Sequence, residues 1–169
     1  ILFGDGAGAA VVRAEEGELH PSVAGSDGTM GHVLACESRV QNDWQQKEAD
    51  RKTYIDMDGT AVFKFAVRKM PEMAKSLMTQ MHCTEADIDW FITHQANERI
   101  IEAIARRLKS DIAKFPMNIA ECGNTSSASI PILLDEMNRS GQLKDGQKII
   151  MAGFGAGLSW GAVYMEWHA

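Results

Sequence analysis

The feature of the sequence that most constrains the fold is a short, mostly apolar segment that passes through a few polar residues into an amphipathic helix. The segment is "IDWFITH", residues 88–94, and the helix is "NERIIEAIARRLK", residues 97–109, in which apolar residues recur every three or four positions. The first pattern predicts a buried strand that ends at His94, and Asn97 is well placed to cap the helix. The succession predicts an α/β fold with His94 at the carboxyl edge of the sheet, where open α/β sheets place their sites.

Further along the chain the same alternation continues. Helical periodicity begins at Gly59, and Pro71 within it is expected to kink that helix or to begin a second one. Another helix is predicted in "SSASIPILLDEMNRSG", residues 126–141. The chain closes with strand, glycine-rich turn and strand in residues 147–167. The order of elements predicts a mixed sheet.

Three stretches have weaker patterns. Residues 1–15 are interpreted as a strand interrupted by glycines, followed by a second strand around Ala9 to Val12. Residues 20–58 are expected to be irregular and polar, with a surface loop at residues 38–52 that is functional or mobile. Residues 114–125, "KFPMNIAECGNT", are interpreted as a short strand and a loop.

Composition and charge exclude several classes of protein. Of the 169 residues, 45% are hydrophobic and 24% are charged, as in ordinary globular proteins, and the net charge of −6 does not favour nucleic acid or acidic membranes. Three cysteines without a CxxC pair argue against a disulfide framework or structural zinc, and fit a reducing cytosol. No apolar run reaches the about 20 residues that span a bilayer. The first ten residues lack an initiator methionine and a basic signal-peptide region, so we expect the chain to begin within a larger protein.

Two polar clusters contain the residue types of a thiol nucleophile and its activating partners. "THQAN" contains His94, and "ECGNTSSASIP", residues 121–131, contains Cys122 and Asn124. Each cluster also has a structural interpretation. His94 could be a hydrogen-bonded core histidine, and Asn124 with the following hydroxylated residues could cap a helix. Spacing alone leaves both interpretations open, and it does not decide whether Cys122 is a nucleophile or a neighbour of the site.

Two glycine-rich segments are equally ambiguous. "GFGAGLSWG", residues 153–161, could expose backbone N–H groups to a developing oxyanion, or could simply form a tight hairpin loop. "GDGAGA", residues 4–9, lacks the G-x-G-x-x-G spacing of a dinucleotide fingerprint and is not followed by a helical pattern. Alternating small residues are more typical of a place where another element approaches closely.

The order of "GDGAGA", "HQANERII", "GNTSSASIP" and "GFGAGLSWGA" resembles the C-terminal portion of the β-ketoacyl-acyl-carrier-protein synthase III family. These are decarboxylating condensing enzymes of the thiolase superfamily that start type II fatty acid synthesis. The resemblance extends from Gly4 to Trp167 and implies an α/β, thiolase-like fold. Residues 1–20 would be the end of the N-terminal half, including its last strand. Residues 21–169 would be the C-terminal half, a mixed five-stranded sheet covered by helices.

The resemblance also implies an activity and its residues. The family transfers an acyl group from CoA to a cysteine and then condenses it with malonyl-carrier protein. His94 and Asn124 would be the catalytic pair that stabilises the enolate, with a neutral His94 that presents Nε2–H, and the nucleophilic cysteine would precede Ile1. Further implied positions are the oxyanion loop (Gly155, Ala156 and Gly157), the substrate and CoA contacts (Gly59, Phe63, Asn97 and Phe154) and the carrier-protein docking residues (Lys64, Arg99, Arg106 and Arg107).

The implied partners are acyl carrier protein, acyl-CoA, the missing N-terminal half and a second copy in a homodimer. No cofactor, metal, nucleic acid or membrane is expected, and the expected location is the cytoplasm. Alternatives stay open: a related acyltransferase or condensing enzyme of secondary metabolism, or an isolated half that is catalytically silent. The basic residues of the helix at residues 97–109 could also be an ordinary solvated helix face.

Overall fold

The computed structural model describes residues 3–12, 17, 20–36 and 54–168. The strands are β1 (Ser22–Ser26), β2 (Leu34–Cys36), β3 (Ile55–Met57), β4 (Trp90–Thr93), β5 (Lys148–Gly155) and β6 (Ser159–Glu166). The α-helices are α1 (Gly59–Gln80), α2 (Glu98–Leu108), α3 (Ile119–Cys122) and α4 (Ser129–Arg139).

The main sheet is mixed, as the sequence predicts. Its strand order is β1-β6-β5-β4, in which β4 and β5 are parallel and the other neighbours are antiparallel. Strands β2 and β3 form a separate antiparallel pair. The described residues contribute four strands to the main sheet, where the resemblance implies five. The β5–β6 hairpin confirms the predicted strand, glycine turn and strand at the end of the chain.

Helices cover both faces of this sheet. Phe91 of β4 and Ile150 of β5 pack in one apolar cluster with residues of α1 and α2. Their neighbours Ile92 and Ile149 pack in a second cluster with Leu133 and other residues of α4 and its surroundings. Because both faces are buried, successive strand residues are apolar, which is why the sequence of β4 shows no alternation with polar residues.

Helix α1 is continuous through Pro71. Asp58 is its N-cap residue, and the Asp58 side chain accepts hydrogen bonds from the N–H groups of Thr60 and Ala61. Of the two alternatives for Pro71, the start of a second helix is wrong, since α1 continues to Gln80. Proline removes one helical hydrogen bond, and burial of Pro71 and its neighbours against the core offsets that loss. No helix in the described part of the chain is both long and apolar enough to cross a membrane.

The first described residues do not form the predicted strands. Residues 4–12 have no strand pairing, and the nearest pairing is an isolated parallel bridge between Phe3 and Asn124. Val11 and Val12 are 98% and 91% exposed. Apolar residues favour a strand only where a neighbouring strand can pair with them, and the described residues offer none at this place.

Two other expectations are also wrong. Residues 20–58 are not irregular throughout, because they contain β1, β2, β3 and a 3-10 helix at Gly28–Val33. The small residues of β1 give no apolar alternation, and its place is decided by pairing with β6, to which it is antiparallel. The segment 114–125 contains the short helix α3 instead of a strand. The predicted loop at residues 38–52 lies outside the described residues.

Candidate active site

His94 lies directly after β4, at the carboxyl end of the parallel strand pair. Its main-chain N–H donates a 2.8 Å hydrogen bond to the carbonyl oxygen of Ala152 on β5 and thereby continues the parallel ladder. Its ring lies edge to face with that of Phe154, with 5.5 Å between the centroids. The sheet-edge position predicted for His94 is therefore confirmed.

Gln95 holds the turn that follows the strand. Its side chain is fully buried, and its Nε2 donates to the carbonyl oxygen of Thr93 at 2.8 Å. Its Oε1 accepts a 3.3 Å hydrogen bond from the N–H of Asn118. The amide therefore connects the end of β4 to the segment before α3. Sequence reasoning did not single out Gln95.

Ser129, the first residue of α4, contacts the imidazole directly. Its Oγ lies 2.8 Å from Nδ1 of His94, and it also accepts a 3.3 Å hydrogen bond from the N–H of Gln95. The side chain is buried. In the sequence, Ser129 is only one of several hydroxylated residues at the start of a predicted helix. No local spacing could reveal the contact, because the two residues are far apart in the sequence.

Asn124 lies in the loop between α3 and α4 and is buried. Its Oδ1 accepts a 2.9 Å hydrogen bond from the N–H of Ser126, which closes a short turn. Its Nδ2 has no hydrogen-bond partner among the described residues. The N-cap position of α4 is Ala128, which makes no side-chain cap hydrogen bond, so Asn124 does not act as the cap of that helix.

A cavity of about 460 Å³ brings the predicted residues together. His94, Asn124, Phe154, Gly155 and Ala156 all line it. An apolar wall faces them, and it includes residues of β2, β3 and α1: Leu34, Ala35, Ile55, Met57 and Val62. The five residues opposite this wall are site residues that the resemblance implies, and their roles in the reaction stay predictions. The wall from β2 and β3 was not predicted, since those strands were expected to be irregular.

The glycine-rich turn joins β5 and β6 as a tight hairpin loop, and its role in binding an oxyanion stays a prediction. Gly155 and Ala156 line the cavity, and Gly157 turns the chain toward β6 without being one of the lining residues. Gly157 has a φ of 137°, a conformation that residues with side chains rarely adopt. The turn therefore needs glycine for its own geometry, whatever its role in chemistry.

Three further predicted contact residues lie outside the cavity lining. Gly59 begins α1, and Phe63 on its first turns is 36% exposed. Asn97 caps α2 as predicted, and its Oδ1 accepts a 2.9 Å hydrogen bond from the N–H of Arg99. The roles of these residues in binding the substrate stay predictions.

The basic residues of α2 are on its solvent face, while Ile100 and Ile104 are buried. Arg106 lies 3.6 Å from Glu102 in an exposed ion pair. Both a docking surface and an ordinary solvated helix face would be exposed, so the docking role stays a prediction. The four residues named for it are all exposed: Lys64, Arg99, Arg106 and Arg107.

Cys122 does not have the surroundings of a nucleophile. Its Sγ lies 3.8 Å from Oε1 of Glu136, and it does not line the cavity. Burial and the Glu136 carboxylate raise the pKa of the Cys122 thiol above its ordinary value. An attacking cysteine needs a lowered pKa, so this thiol has the opposite tendency.

Burial lowers the pKa of His94 below its ordinary value of 6.5. The imidazole is therefore mostly neutral near pH 7, in which form one ring nitrogen is a donor and the other an acceptor. Within the ranges that the structure describes, no group of three or more His, Cys, Asp or Glu side chains could hold a metal ion.

Comparison with known proteins shows which family the chain belongs to. Residues 78–167 match the family model described as 3-oxoacyl-[acyl-carrier-protein (ACP)] synthase III C terminal. The chain belongs to this family. It is 45% identical over 170 residues to the β-ketoacyl-[acyl-carrier-protein] synthase III of Clostridium novyi (strain NT), an alignment that covers 99% of this chain and 52% of that protein. The chain thus spans about half the length of the curated relatives it matches.

Solved structures support the same fold. The crystal structure of 3-oxoacyl-(acyl carrier protein) synthase III from Pseudomonas aeruginosa PAO1 has a TM-score of 0.80 and 36% identity, and covers 95% of this chain and 47% of that one. The priming β-ketosynthase from the R1128 polyketide biosynthetic pathway has a TM-score of 0.76 and 34% identity. That match covers 87% of this chain and 44% of the ketosynthase chain. The thiolase-like α/β fold class is therefore confirmed.

Proposed function

We propose that the full-length protein condenses an acyl-CoA primer with malonyl-acyl-carrier protein, and that this chain supplies the groups that stabilise the enolate. The observation that supports this proposal is the cavity that His94 and Asn124 share. Each side chain keeps one nitrogen, Nε2 of His94 and Nδ2 of Asn124, without a hydrogen-bond partner among the described residues. Two donors that face one cavity from separate elements suit a single oxygen atom that becomes negative during a reaction.

The proposed chemistry has two stages. First, a cysteine thiolate attacks the thioester of the acyl-CoA, and CoA leaves as its thiolate. Then the malonyl thioester loses CO₂, and the electron pair of the broken C–C bond forms an enolate. The enolate carbon attacks the acyl-cysteine thioester, the cysteine thiolate leaves, and a 3-oxoacyl-carrier protein results. His94 Nε2–H and Asn124 Nδ2–H would donate to the enolate oxygen, whose charge is absent in the ground state, so these bonds lower the barrier.

The nucleophilic cysteine is proposed to lie in the N-terminal half, outside this chain. The raised pKa of Cys122 and its position outside the cavity support that assignment. Residues 1–20 are proposed to belong to the same N-terminal half. In support, the described part of that segment runs beside Asn124 without joining the main sheet, and Val11 and Val12 are almost fully exposed.

The remaining assignments extend the same proposal. The backbone N–H near Ala156, in the turn from Gly155 to Gly157, would complete an oxyanion hole. Phe154, Gly59, Phe63 and Asn97 would contact the acyl group and the pantetheine arm. We further propose that the enzyme needs no cofactor, forms a homodimer, and works in the cytoplasm. The unpaired thiols of Cys83 and Cys122 are consistent with a reducing compartment.

The test uses the full-length protein with His94→Ala and Asn124→Ala. Acylation is measured by the mass of the acyl-enzyme after mixing with acyl-CoA, and decarboxylation by CO₂ released from malonyl-carrier protein. We expect acylation to persist, and turnover to fall about 10²- to 10³-fold for loss of one oxyanion donor. His82→Ala and Asn138→Ala, at exposed positions outside the cavity, are the matched controls. Loss of acylation with normal decarboxylation would reject the enolate role.

A second candidate function is priming of polyketide synthesis. The R1128 priming β-ketosynthase is about as similar to this chain as the 3-oxoacyl-(acyl carrier protein) synthase III from Pseudomonas aeruginosa PAO1 is. Turnover with a series of acyl-CoA primers distinguishes the two functions. Turnover with acetyl-CoA favours fatty acid initiation, and a requirement for a primer other than acetyl-CoA favours polyketide priming.

The isolated chain is expected to be catalytically silent, and a stoichiometric acyl adduct on Cys122 would contradict that expectation.

A further inference from the structure

We propose that Ser129 is a positioning residue that keeps the proton of His94 on Nε2. The tautomer itself follows from the hydrogen bonds of Ser129, and its consequence for catalysis rests on the proposed function. Ser129 is neither a nucleophile nor a substrate contact in this proposal. It acts through the imidazole, whose Nδ1 lies 2.8 Å from its Oγ.

The direction of the hydrogen bond between Ser129 and His94 follows from the hydrogen bond between Ser129 and Gln95. A serine hydroxyl has one proton to donate and two lone pairs to accept with. The main-chain N–H of Gln95 can only donate, and it points at Oγ of Ser129 at 3.3 Å. Oγ is therefore an acceptor toward Gln95, and its own proton is available for Nδ1 of His94.

The opposite tautomer would leave a buried group unsatisfied. If Nδ1 carried the proton, Oγ would accept from both His94 and Gln95, and its hydroxyl proton would need another acceptor. Ser129 is 2% exposed, and its Oγ has no other hydrogen-bond partner among the described residues. An unsatisfied buried donor is unfavourable, so the arrangement with Nδ1 as acceptor and Nε2–H as donor is preferred.

The position of Ser129 in α4 also favours the neutral form of His94. It is the first residue of this 11-residue helix, so its hydroxyl lies at the end of α4 that carries a partial positive charge. That charge disfavours an imidazolium beside it, as burial of the ring also does. Both effects keep His94 neutral, which is the state in which a tautomer can be selected at all.

The same segment also orients Asn124. Because Oδ1 of Asn124 accepts from the N–H of Ser126, the amide NH₂ is directed away from that bond and is available as a donor. One short segment, from Asn124 to Ser129, therefore sets the donor direction of both side chains. For an enolate oxygen, a bare Nε2 lone pair would be repulsive, and the selected Nε2–H is attractive.

The first experiment determines the tautomer in the full-length protein at pH 7.5. Selective ¹⁵N labelling of histidine and two-bond ¹H–¹⁵N correlation distinguish a protonated nitrogen from a bare one, and the His94 signals are assigned by their loss in His94→Ala. We expect Nε2 to carry the proton in the wild type. A proton on Nδ1 would overturn the proposal, and this result depends neither on a folded Ser129 variant nor on any catalytic activity.

The second experiment compares Ser129→Ala with Ser140→Ala. Ser140 is near the other end of α4, where its hydroxyl donates to the carbonyl oxygen of Met137. For Ser129→Ala we expect a mixed tautomer, unchanged cysteine acylation, and a kcat for decarboxylation that falls by about 10-fold or more, but less than the about 10²- to 10³-fold for a missing donor. The KM for malonyl-carrier protein should change little, and Ser140→Ala should match the wild type.

Ser129→Thr, which keeps a hydroxyl, should restore both the Nε2–H signal and the decarboxylation rate. A wild-type tautomer and wild-type kcat in Ser129→Ala would overturn the positioning role. If the wild type has the Nε2–H tautomer but releases no CO₂ from malonyl-carrier protein, the proposed function fails while the role of Ser129 in selecting the tautomer stands.

Discussion

The main-chain N–H of Gly4 donates a 2.9 Å hydrogen bond to the carbonyl oxygen of Asn124. This bond joins the first described residues to the loop that carries the proposed enolate donor. A Cβ on Gly4 would overlap the main-chain carbonyl group of Cys122, in the same loop. The alternating glycines therefore permit a close approach between two segments, as their spacing predicted, and they do so at the edge of the cavity.

Gly4→Ala should displace the Asn124 loop. Because backbone atoms meet the added methyl group, neither segment can yield easily, and we expect a loss of about 1–3 kcal/mol in the free energy of unfolding, as for other overpacked sites. Turnover should fall while the acylated cysteine still forms. The measurements are urea unfolding and CO₂ release with the full-length protein. Gly28→Ala, where a methyl group would meet nothing within 4 Å, is the control.

The pH dependence of decarboxylation should reflect the buried imidazole. Burial lowers the pKa of His94 below 6.5, so the neutral donor persists as the pH falls through 6.5, and the rate should decline only below that value. The check is CO₂ release between pH 5 and 8 with pre-acylated enzyme. An acidic limb with an apparent pKa above 6.5 would contradict the assignment of that limb to His94.

The same shift predicts how stability changes with pH. Between the folded pKa and 6.5 the unfolded histidine binds more protons than the folded one, so stability increases with pH in that window and is lost as the pH falls. The free energy of unfolding of the wild type, relative to that of His94→Ala, should therefore be lower at pH 5.5 than at pH 7.5. Urea unfolding at the two pH values measures it, and the reverse slope would contradict the lowered pKa.

Gln95→Met should destabilise the protein. Methionine has a similar shape but cannot bond the carbonyl oxygen of Thr93 or the N–H of Asn118, and these buried groups would lose a partner. We expect a cost of about 1–3 kcal/mol, measured by urea unfolding. Gln142→Met, at an exposed position, is the matched control. Equal stability of the two variants would show that the buried amide contributes nothing.

Cys122→Ser should leave turnover within about twofold of the wild type, as expected for a substitution away from the site. The Cys122 thiol has a raised pKa and contacts Glu136 at 3.8 Å, outside the cavity lining. The measurement is acyl-enzyme formation and CO₂ release by the full-length variant. Complete loss of acylation would instead identify Cys122 as the nucleophile.

Arg99→Glu should raise the KM for malonyl-carrier protein by about 5- to 10-fold at low salt, because an exposed charge mainly affects encounter with a charged partner. Acylation by acyl-CoA should be unchanged. Arg106→Glu should have a smaller effect, since that guanidinium already pairs with Glu102. Arg139→Glu, on α4 beside Asp135, is the control. An equal effect of Arg99→Glu and Arg139→Glu would indicate a general charge effect without a docking surface.

Elements with a local pattern were predicted well. The strand before His94, the helix capped by Asn97 and the final hairpin were all confirmed, because apolar periodicity, a cap and a glycine turn act over a few residues. The strands β1, β2 and β3 were missed, since short strands of small or mixed residues exist only through their pairing. The prediction of strand in residues 4–12 was wrong because these strand-like residues have no neighbouring strand to pair with in the part of the chain that the structure describes.

By itself the sequence determined the α/β class and the position of His94 at the sheet edge, and its motifs indicated Asn124 as the partner of His94. Only the tertiary structure decided which residues act on one another. Ser129 and His94 meet because α4 begins beside the end of β4, whereas Cys122 lies outside the cavity lining and contacts Glu136. Proton position and thiol pKa depend on hydrogen bonds and burial between residues distant in the chain, and no local pattern encodes them.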